Sequence, residues 1–590
     1  MQHTRVTTLA PHEVVGPDVH LAAPGASHLQ SNGHRRPKRW SPGSLPRRLI
    51  SEGGLVFLIA LACYLVVSVL LDLKYKTFLG DAFSRMANGS YILYSRDPHL
   101  AAVGFVWEPL TSLADMVFLL GNHLWPALSH NDMAGSLTSS FAMAGAVYQL
   151  LLTLKESGVA RVPRLVLTAL FALNPMILLY SGNGMSEGLY LFTLIAATRY
   201  LVRWIHTGQL RSLAYAGTAL GFCYLTRNEA AAAVMGGGLA VLFLSYRRSE
   251  GDRSAKRATA MADATIFAIP GVIAAVGWAV TSYVITGVFF GQYSSIYGSS
   301  EQEAHLTHQS LHGRELDIVH EVGSMFPLLP LILLAAVVVA IRRKDPRILA
   351  PLTILGGALG FDALALLNNN IQPFYRYFIV TIPIEVLLVG SLIGTSPSLR
   401  AHRLRPSSVL WRLRHVGAIL LILVTMIPAA ITTSAAMFNP SIAPEEIQLL
   451  GVVFLSHPSS YERSFDDRYP DILRVGTYLA NLKLPDGDVL VDNSANCIPE
   501  IITTISQPRL FVIPNNRDFQ RILADPLTFH DHYILEPDPI GSPVTATNIQ
   551  YPALWKNGAG FARAVHTFPS WGTCPALRLF KVTGHPNQAH

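Results

Sequence analysis

The sequence predicts an α-helical polytopic membrane bundle of about eleven transmembrane helices, followed by a soluble α/β domain. Three observations carry this prediction. Half of the 590 residues are hydrophobic and only 14% are charged, where an ordinary soluble domain carries about a quarter charged residues. Apolar runs of around 20 residues, each sufficient to cross a ~30 Å hydrocarbon core as a helix, recur from Leu55 to Ala436. From about Asn439 onward no such run occurs, and Pro, Asp and Asn return at ordinary frequency. The chain therefore divides into residues 1–50, a disordered cytoplasmic tail; 51–438, the membrane domain; and 439–590, an extracytoplasmic α/β domain.

The spans fall near 53–72, 133–153, 164–181, 185–204, 211–227, 229–246, 263–288, 322–341, 348–367, 376–395 and 416–436. Lys155, Arg161 and Arg164, then Arg203 and Arg211, Arg247 to Arg257, Arg342 to Arg347, and Arg400 to Arg414 lie in alternate loops, on the side of the basic tail. Opposite loops such as Ser181 to Gly184 and Asn368 to Tyr375 carry almost no base, as the positive-inside rule requires of an outer face. This places the N-terminus in the cytoplasm and the C-terminal domain outside. The run 109–128 contains Asp115, Asn122, His123 and two prolines; it reads as an interfacial helix at the outer surface, since a further span would invert every basic loop. The net charge of +7 is spread over these loops rather than gathered in one stripe with aromatics, which excludes a nucleic-acid partner.

Polar residues collect in the outer loops. The first, 73–132, holds Gly80-Asp81, Arg85, Arg96-Asp97-Pro98-His99 and Trp107-Glu108. A carboxylate just past the first helix sits between headgroups and water, where Asp81 could serve as general base toward a hydroxyl; the plain alternative is a pair with Arg85, four residues on. Asn174-Pro175 near the end of one span leads to Ser186-Glu187 at the start of the next, and Thr226-Arg227-Asn228-Glu229 forms another outer turn. Ionisable groups at membrane depth are costly and usually face a shared interior, although Arg227 and Glu229 could simply pair with each other. Arg376-Tyr377 opens a late helix after an Asn- and Gln-rich turn, and the planar guanidinium fork suits a phosphate. The loop 291–321, with Tyr293, Tyr297, His305, His308, His312 and His320, has the character of an entrance gate, and its histidines lack metal-ligand spacing.

These motifs together resemble the GT-C superfamily of integral membrane glycosyltransferases, over residues 50–436. The layout with an outer C-terminal domain is similar to that of bacterial cell-envelope enzymes of the class, whereas Ala82 after Asp81 departs from the Asp-Glu pair of the protein mannosyltransferases. The resemblance implies a multi-pass protein of a bacterial plasma membrane, with membrane lipids around the bundle, and sugar transfer from a polyprenyl-phosphate-linked donor to a glycan or lipid acceptor with inversion at the anomeric carbon. It implies Asp81 as base with Asp97 in reserve, and Arg376 or Arg227 as the phosphate's cation. His99, Glu108, Glu187 and Glu229 would bind sugar or acceptor hydroxyls, and Arg85, Ser186, Asn228 and Tyr377 complete the substrate-binding set. A divalent cation is the one cofactor the resemblance admits, and the residues mark no metal site. A secondary transporter or lipid flippase is the alternative class; it is disfavoured because the charge sits at one surface and no inverted repeat is evident.

In the C-terminal domain, Val489 to Asp492, Leu510 to Ile513 and Tyr533 to Glu536 read as buried strands alternating with helical or turn-rich stretches. No Gly-rich phosphate loop follows a strand. Cys497 and Cys574 are the two cysteines of this domain, and outside the cytoplasm a disulfide between them is favoured over the alternative of two free buried thiols.

Overall fold

A computed structural model describes residues 51–294, 310–395, 409–463, 469–540 and 545–586. The tail, together with Tyr297, His305, His308, Arg400, Arg403 and Arg405, lies outside the described residues.

Every run expected to span is helical over most of its length. Among the described residues seven helices are long and apolar enough to cross a membrane: Glu52–Tyr75, Met133–Glu156, Ala230–Arg248, Arg253–Thr286, Pro346–Leu367, Tyr375–Ile393 and Arg412–Met437. Leu311–Met325 and Leu329–Arg343 make an eighth if counted as one span, bent by 69°. The span expected at 322–341 thus lies across a break, where Pro327 and Pro330 interrupt the hydrogen-bond ladder. The other three are shorter, broken or more polar. Pro175 divides one into Arg161–Ala172 and Pro175–Tyr180, Glu187–Thr207 carries Glu187, Arg199 and Arg203, and Leu210–Tyr224 has 15 residues. The expected interfacial stretch forms Leu110–Leu119 and a short Ala127–His130 helix. Its Asp115 is fully buried rather than turned to the surface.

Large apolar side chains such as Leu58, Val66, Ile273, Val284, Val424 and Ile431 project from these helices unburied, the belt that a bilayer rather than water would cover. Between helices, small residues permit close approach. A Cβ on Gly217 would lie 2.2 Å from the Phe267 carbonyl, and one on Gly236 would lie 2.4 Å from that of Thr353.

The basic loops meet at one end of the bundle. Arg164 and Arg161 bind Glu52, Arg343 donates to the carbonyls of Ser391, Leu392 and Gly394, and Thr395 donates to that of Gly158. Helix starts and turns at the other end carry Asp81, Glu187, Arg227, Arg376 and the residues after Met437.

The sheet has five strands: β1 (Val489–Val491), β2 (Phe511–Val512), β3 (Tyr533–Pro537), β4 (Ala562–Phe568) and β5 (Leu577–Val582), in the order β2-β1-β3-β5-β4. β1 pairs in parallel with β2 and β3, whereas β5 runs antiparallel to β3 and β4. One face of the sheet does not close on itself. Val489, Val491, Phe511 and Leu535 share a hydrophobic cluster with Ala87, Tyr91, Ile92, Ala102, Val103 and Phe105 of the first outer loop. The described residues accordingly form one compact unit.

Cys497, after β1, is disulfide-bonded to Cys574 ahead of β5, with 5.7 Å between Cα atoms. Closing a loop of this length stabilises a fold by roughly 2–4 kcal/mol. A Cys497→Ser, Cys574→Ser variant is therefore expected to lose sheet stability, read as faster proteolysis within residues 489–582 while the membrane helices stay protected.

A chain of buried charges at one end of the bundle

Arg376 opens the helix pair formed by Tyr375–Phe378 and Thr381–Ile393. Its side chain is 3% exposed. One Nη donates to Asp81 Oδ2 at 2.7 Å, and the other binds Glu445. Nε lies 3.7 Å from Glu187 Oε1. Glu187, wholly buried on the first turn of its helix, accepts from Arg227 Nη1 at 2.7 Å. Arg227 also grips Glu229 through Nη2 at 2.6 Å and Nε at 2.9 Å, and the Asp362 carboxyl stands beside Glu229. The ring of Tyr377 lies against both guanidiniums, 5.2 Å from Arg227 and 5.4 Å from Arg376, a contact that favours cations over an aromatic face.

The local sequence explains why these groups arrive together. Asp81 is on the first turn of Gly80–Tyr94, placed by the left-handed turn at Lys76 that ends the first span. Glu187 follows the tight turn Gly182-Asn183-Gly184, in which Gly184 has φ +74° and a Cβ would fall 2.2 Å from Asp132 Oδ2. Only glycine fits both demands. Asn183 Oδ1 accepts from the Met185 amide and fixes the approach to the helix.

Both simple pairings open at the sequence level acquire a definite form. Arg85 donates to the backbone carbonyl of Asp81 at 3.1 Å and stacks its guanidinium on Trp107, leaving the Asp81 carboxylate to Arg376. Arg227 and Glu229 do pair, as one link of the longer chain. Glu108 is buried near Glu229, Arg85 and Arg227; burial pushes its carboxyl up to about 8, and the charge of Glu229 adds to this. Both effects favour the protonated form of Glu108. Ser186 is buried at the head of the Glu187 helix, and Asn228 lies in the Arg227 turn.

The structure does not bring Asp97 and His99 to this chain of charges. Asp97 receives the Arg517 backbone N–H at 3.0 Å and its guanidinium at 2.5 Å, while His99 Nδ1 meets the Asp97 carbonyl at 2.7 Å. The Arg517 hydrogen bonds hold the Asp97 carboxyl down at about 2, which makes it a weak proton acceptor. Arg96 pairs with Asp518, and Asn515 Nδ2 donates to the Ala102 carbonyl at 2.7 Å. Together these contacts bind the loop after β2 to the first outer loop. Among the described residues no group of three His, Cys, Asp or Glu side chains is placed to hold a metal ion.

No family model matches the chain, and no curated protein matches it. The chain is similar to ArnT from Cupriavidus metallidurans in its crystal structure bound to undecaprenyl phosphate, with 12% identity and a TM-score of 0.49 over 90% of this chain and 98% of that one. Against the apo state of the same protein the TM-score is 0.47 at 12% identity, over 89% and 97% of the two chains. It is also similar to the oligosaccharyltransferase of Archaeoglobus fulgidus in complex with zinc and sulfate, with 11% identity and a TM-score of 0.40 over 88% and 73% of the chains.

Two members of the charge network escaped the sequence reading. Asp362 is a lone acid inside an apolar run, a signal that intramembrane cost alone supplies. Pro444-Glu445-Glu446 is a helix start with acids in its first turn; it lies just past the last span, where the composition is that of a soluble domain.

Removing one partner of a buried ion pair leaves an uncompensated charge and costs about 3–5 kcal/mol. Glu187→Gln, which strips both arginines of a shared carboxylate, is expected to lower thermal stability in detergent by an amount of this order. Asp97→Asn, at a partly solvated pair, is expected to change it far less.

Proposed function

We propose that this protein is a membrane glycosyltransferase of the GT-C type, moving a sugar from a polyprenyl-phosphate donor to a cell-envelope glycan or lipid acceptor on the extracytoplasmic face. The observation that carries this reading is the meeting of Asp81 and Arg376, 295 residues apart in the chain and 2.7 Å apart in space, where Arg376 is buried and the Asp81 side chain is 35% exposed. A carboxylate open to water and a cation held by the bundle are what a watery acceptor and a lipid phosphate respectively require. The positive-inside arrangement of the basic end supports an extracytoplasmic site.

In this mechanism the acceptor hydroxyl gives its proton to Asp81 as its oxygen attacks the anomeric carbon. The bond from that carbon to the phosphate oxygen breaks, the configuration inverts, and the lipid phosphate leaves with its new charge against Arg376. Arg227 keeps Glu187 in place between the two guanidiniums. Protonated Glu108 can donate to a sugar hydroxyl, and Tyr377 walls the cations.

The test is incubation of purified protein with a panel of polyprenyl-phosphate sugars, measuring release of lipid phosphate. General-base catalysis contributes about 10²–10⁴-fold, so Asp81→Asn and Asp81→Ala are expected to lose at least 10²-fold in turnover while still binding the lipid. Asp97→Asn is expected to retain transfer. Undiminished turnover in both Asp81 variants would remove that residue as the base.

A further inference from the structure

Glu445 and Glu446 are neighbours on the first turn of Pro444–Phe454, and they are held very differently. Glu446 is buried and accepts a hydrogen bond from the Tyr180 hydroxyl at 2.6 Å, which pins the start of the helix. The Glu445 side chain is 18% exposed and reaches across to Arg376. Arg376 has a single positive charge, yet it faces Asp81, Glu445 and Glu187, the last of which is already committed to Arg227. One carboxylate is in excess of what the guanidinium can balance. Glu187 has no exposed surface through which to leave, and Asp81 is offset from Glu445 on a separate Nη. The guanidinium edge taken by Glu445 presents N–H donors that a phosphate oxygen would use in the same way.

We propose that Glu445 is a displaceable counter-ion of the anion site: it occupies Arg376 until the phosphate of the lipid donor replaces it, and then turns toward water. This rests on the reading of Arg376 as the phosphate's cation. The exchange swaps one anion for another on a buried arginine, so Arg376 is never left uncompensated. Glu446 and Tyr180 keep the backbone still while the Glu445 side chain moves.

The charges around Glu445 give the exchange a pH dependence. Burial pushes its carboxyl up to about 7; Arg376 opposes that shift, whereas Asp81, Glu446 and Glu187 add to it, and Tyr180 and Tyr377 are the other titratable groups facing it. Below about 7 Glu445 gains a proton and releases Arg376, so its competition with phosphate fades as pH falls.

The test is the dissociation constant of polyprenyl phosphate, and separately of inorganic phosphate, for wild type, Glu445→Gln, Glu445→Ala and Arg376→Gln, each at pH 8 and pH 6. Competition of this kind is expected to be worth at least about fivefold. Both Glu445 variants should bind the lipid phosphate that much more tightly than wild type at pH 8, with the advantage shrinking at pH 6; any titration of the phosphate itself is common to all the proteins. Weakened binding in Arg376→Gln together with no gain in either Glu445 variant overturns the counter-ion role and leaves the anion site standing. Unchanged binding in Arg376→Gln overturns the site reading itself. A gain confined to inorganic phosphate shows that the lipid is not the displacing ligand and overturns the proposal.

Discussion

A guanidinium buried at the end of a membrane bundle must be neutralised by protein, because neither lipid nor bulk water can do it there. At this end of the bundle the Arg376 side chain is 3% exposed and that of Arg227 11%, and Glu187 serves both. The rest of the arrangement follows from that constraint. Asp81, Glu229 and Glu445 supply further carboxylates, each from a different helix start or turn, and Tyr377 fills the space between the cations. Helix ends are where such groups can gather, since side chains there reach inward without crossing the apolar middle of the bundle, and a carboxylate on a first turn also meets free backbone N–H groups.

The same end is joined to the sheet. Gly80–Tyr94, which carries Asp81, shares its apolar face with β1, β2 and β3 and with Ile498 and Ile501 of the helix after β1. Asp97 and Arg96 add ion pairs to the loop after β2. The C-terminal domain therefore acts on the candidate base from behind, by holding the helix that presents it. Asp97 takes its importance from this attachment.

Much of this was legible in the sequence. Intramembrane cost singles out Glu187, Arg227, Glu229 and Arg376 without any knowledge of contacts, and all four fall within one chain of ion pairs. Asp97 and His99 lie in the same loop as Asp81 and share its polar character, so only the three-dimensional position of Arg517 separates them. The strands β1 and β2, and β3 beyond Tyr533, are buried runs and are readable as such. β4 is buried at its ends and exposed between them, an edge strand whose sequence Ala-Arg-Ala-Val-His-Thr-Phe shows no sustained apolar run. Glu445 was missed for a related reason. Its role depends on an arginine 69 residues earlier in the chain, and nothing in the local pattern of a surface helix start reveals that partner.

The claim on which the account depends is that Asp81 and Arg376 meet as an ion pair. A double-mutant cycle on thermal stability in detergent, with Asp81→Asn, Arg376→Gln and the double variant, measures that pairing directly. The account predicts a coupling energy of about 1 kcal/mol or more, the second substitution costing much less once the first is made. Strict additivity of the two changes would contradict it.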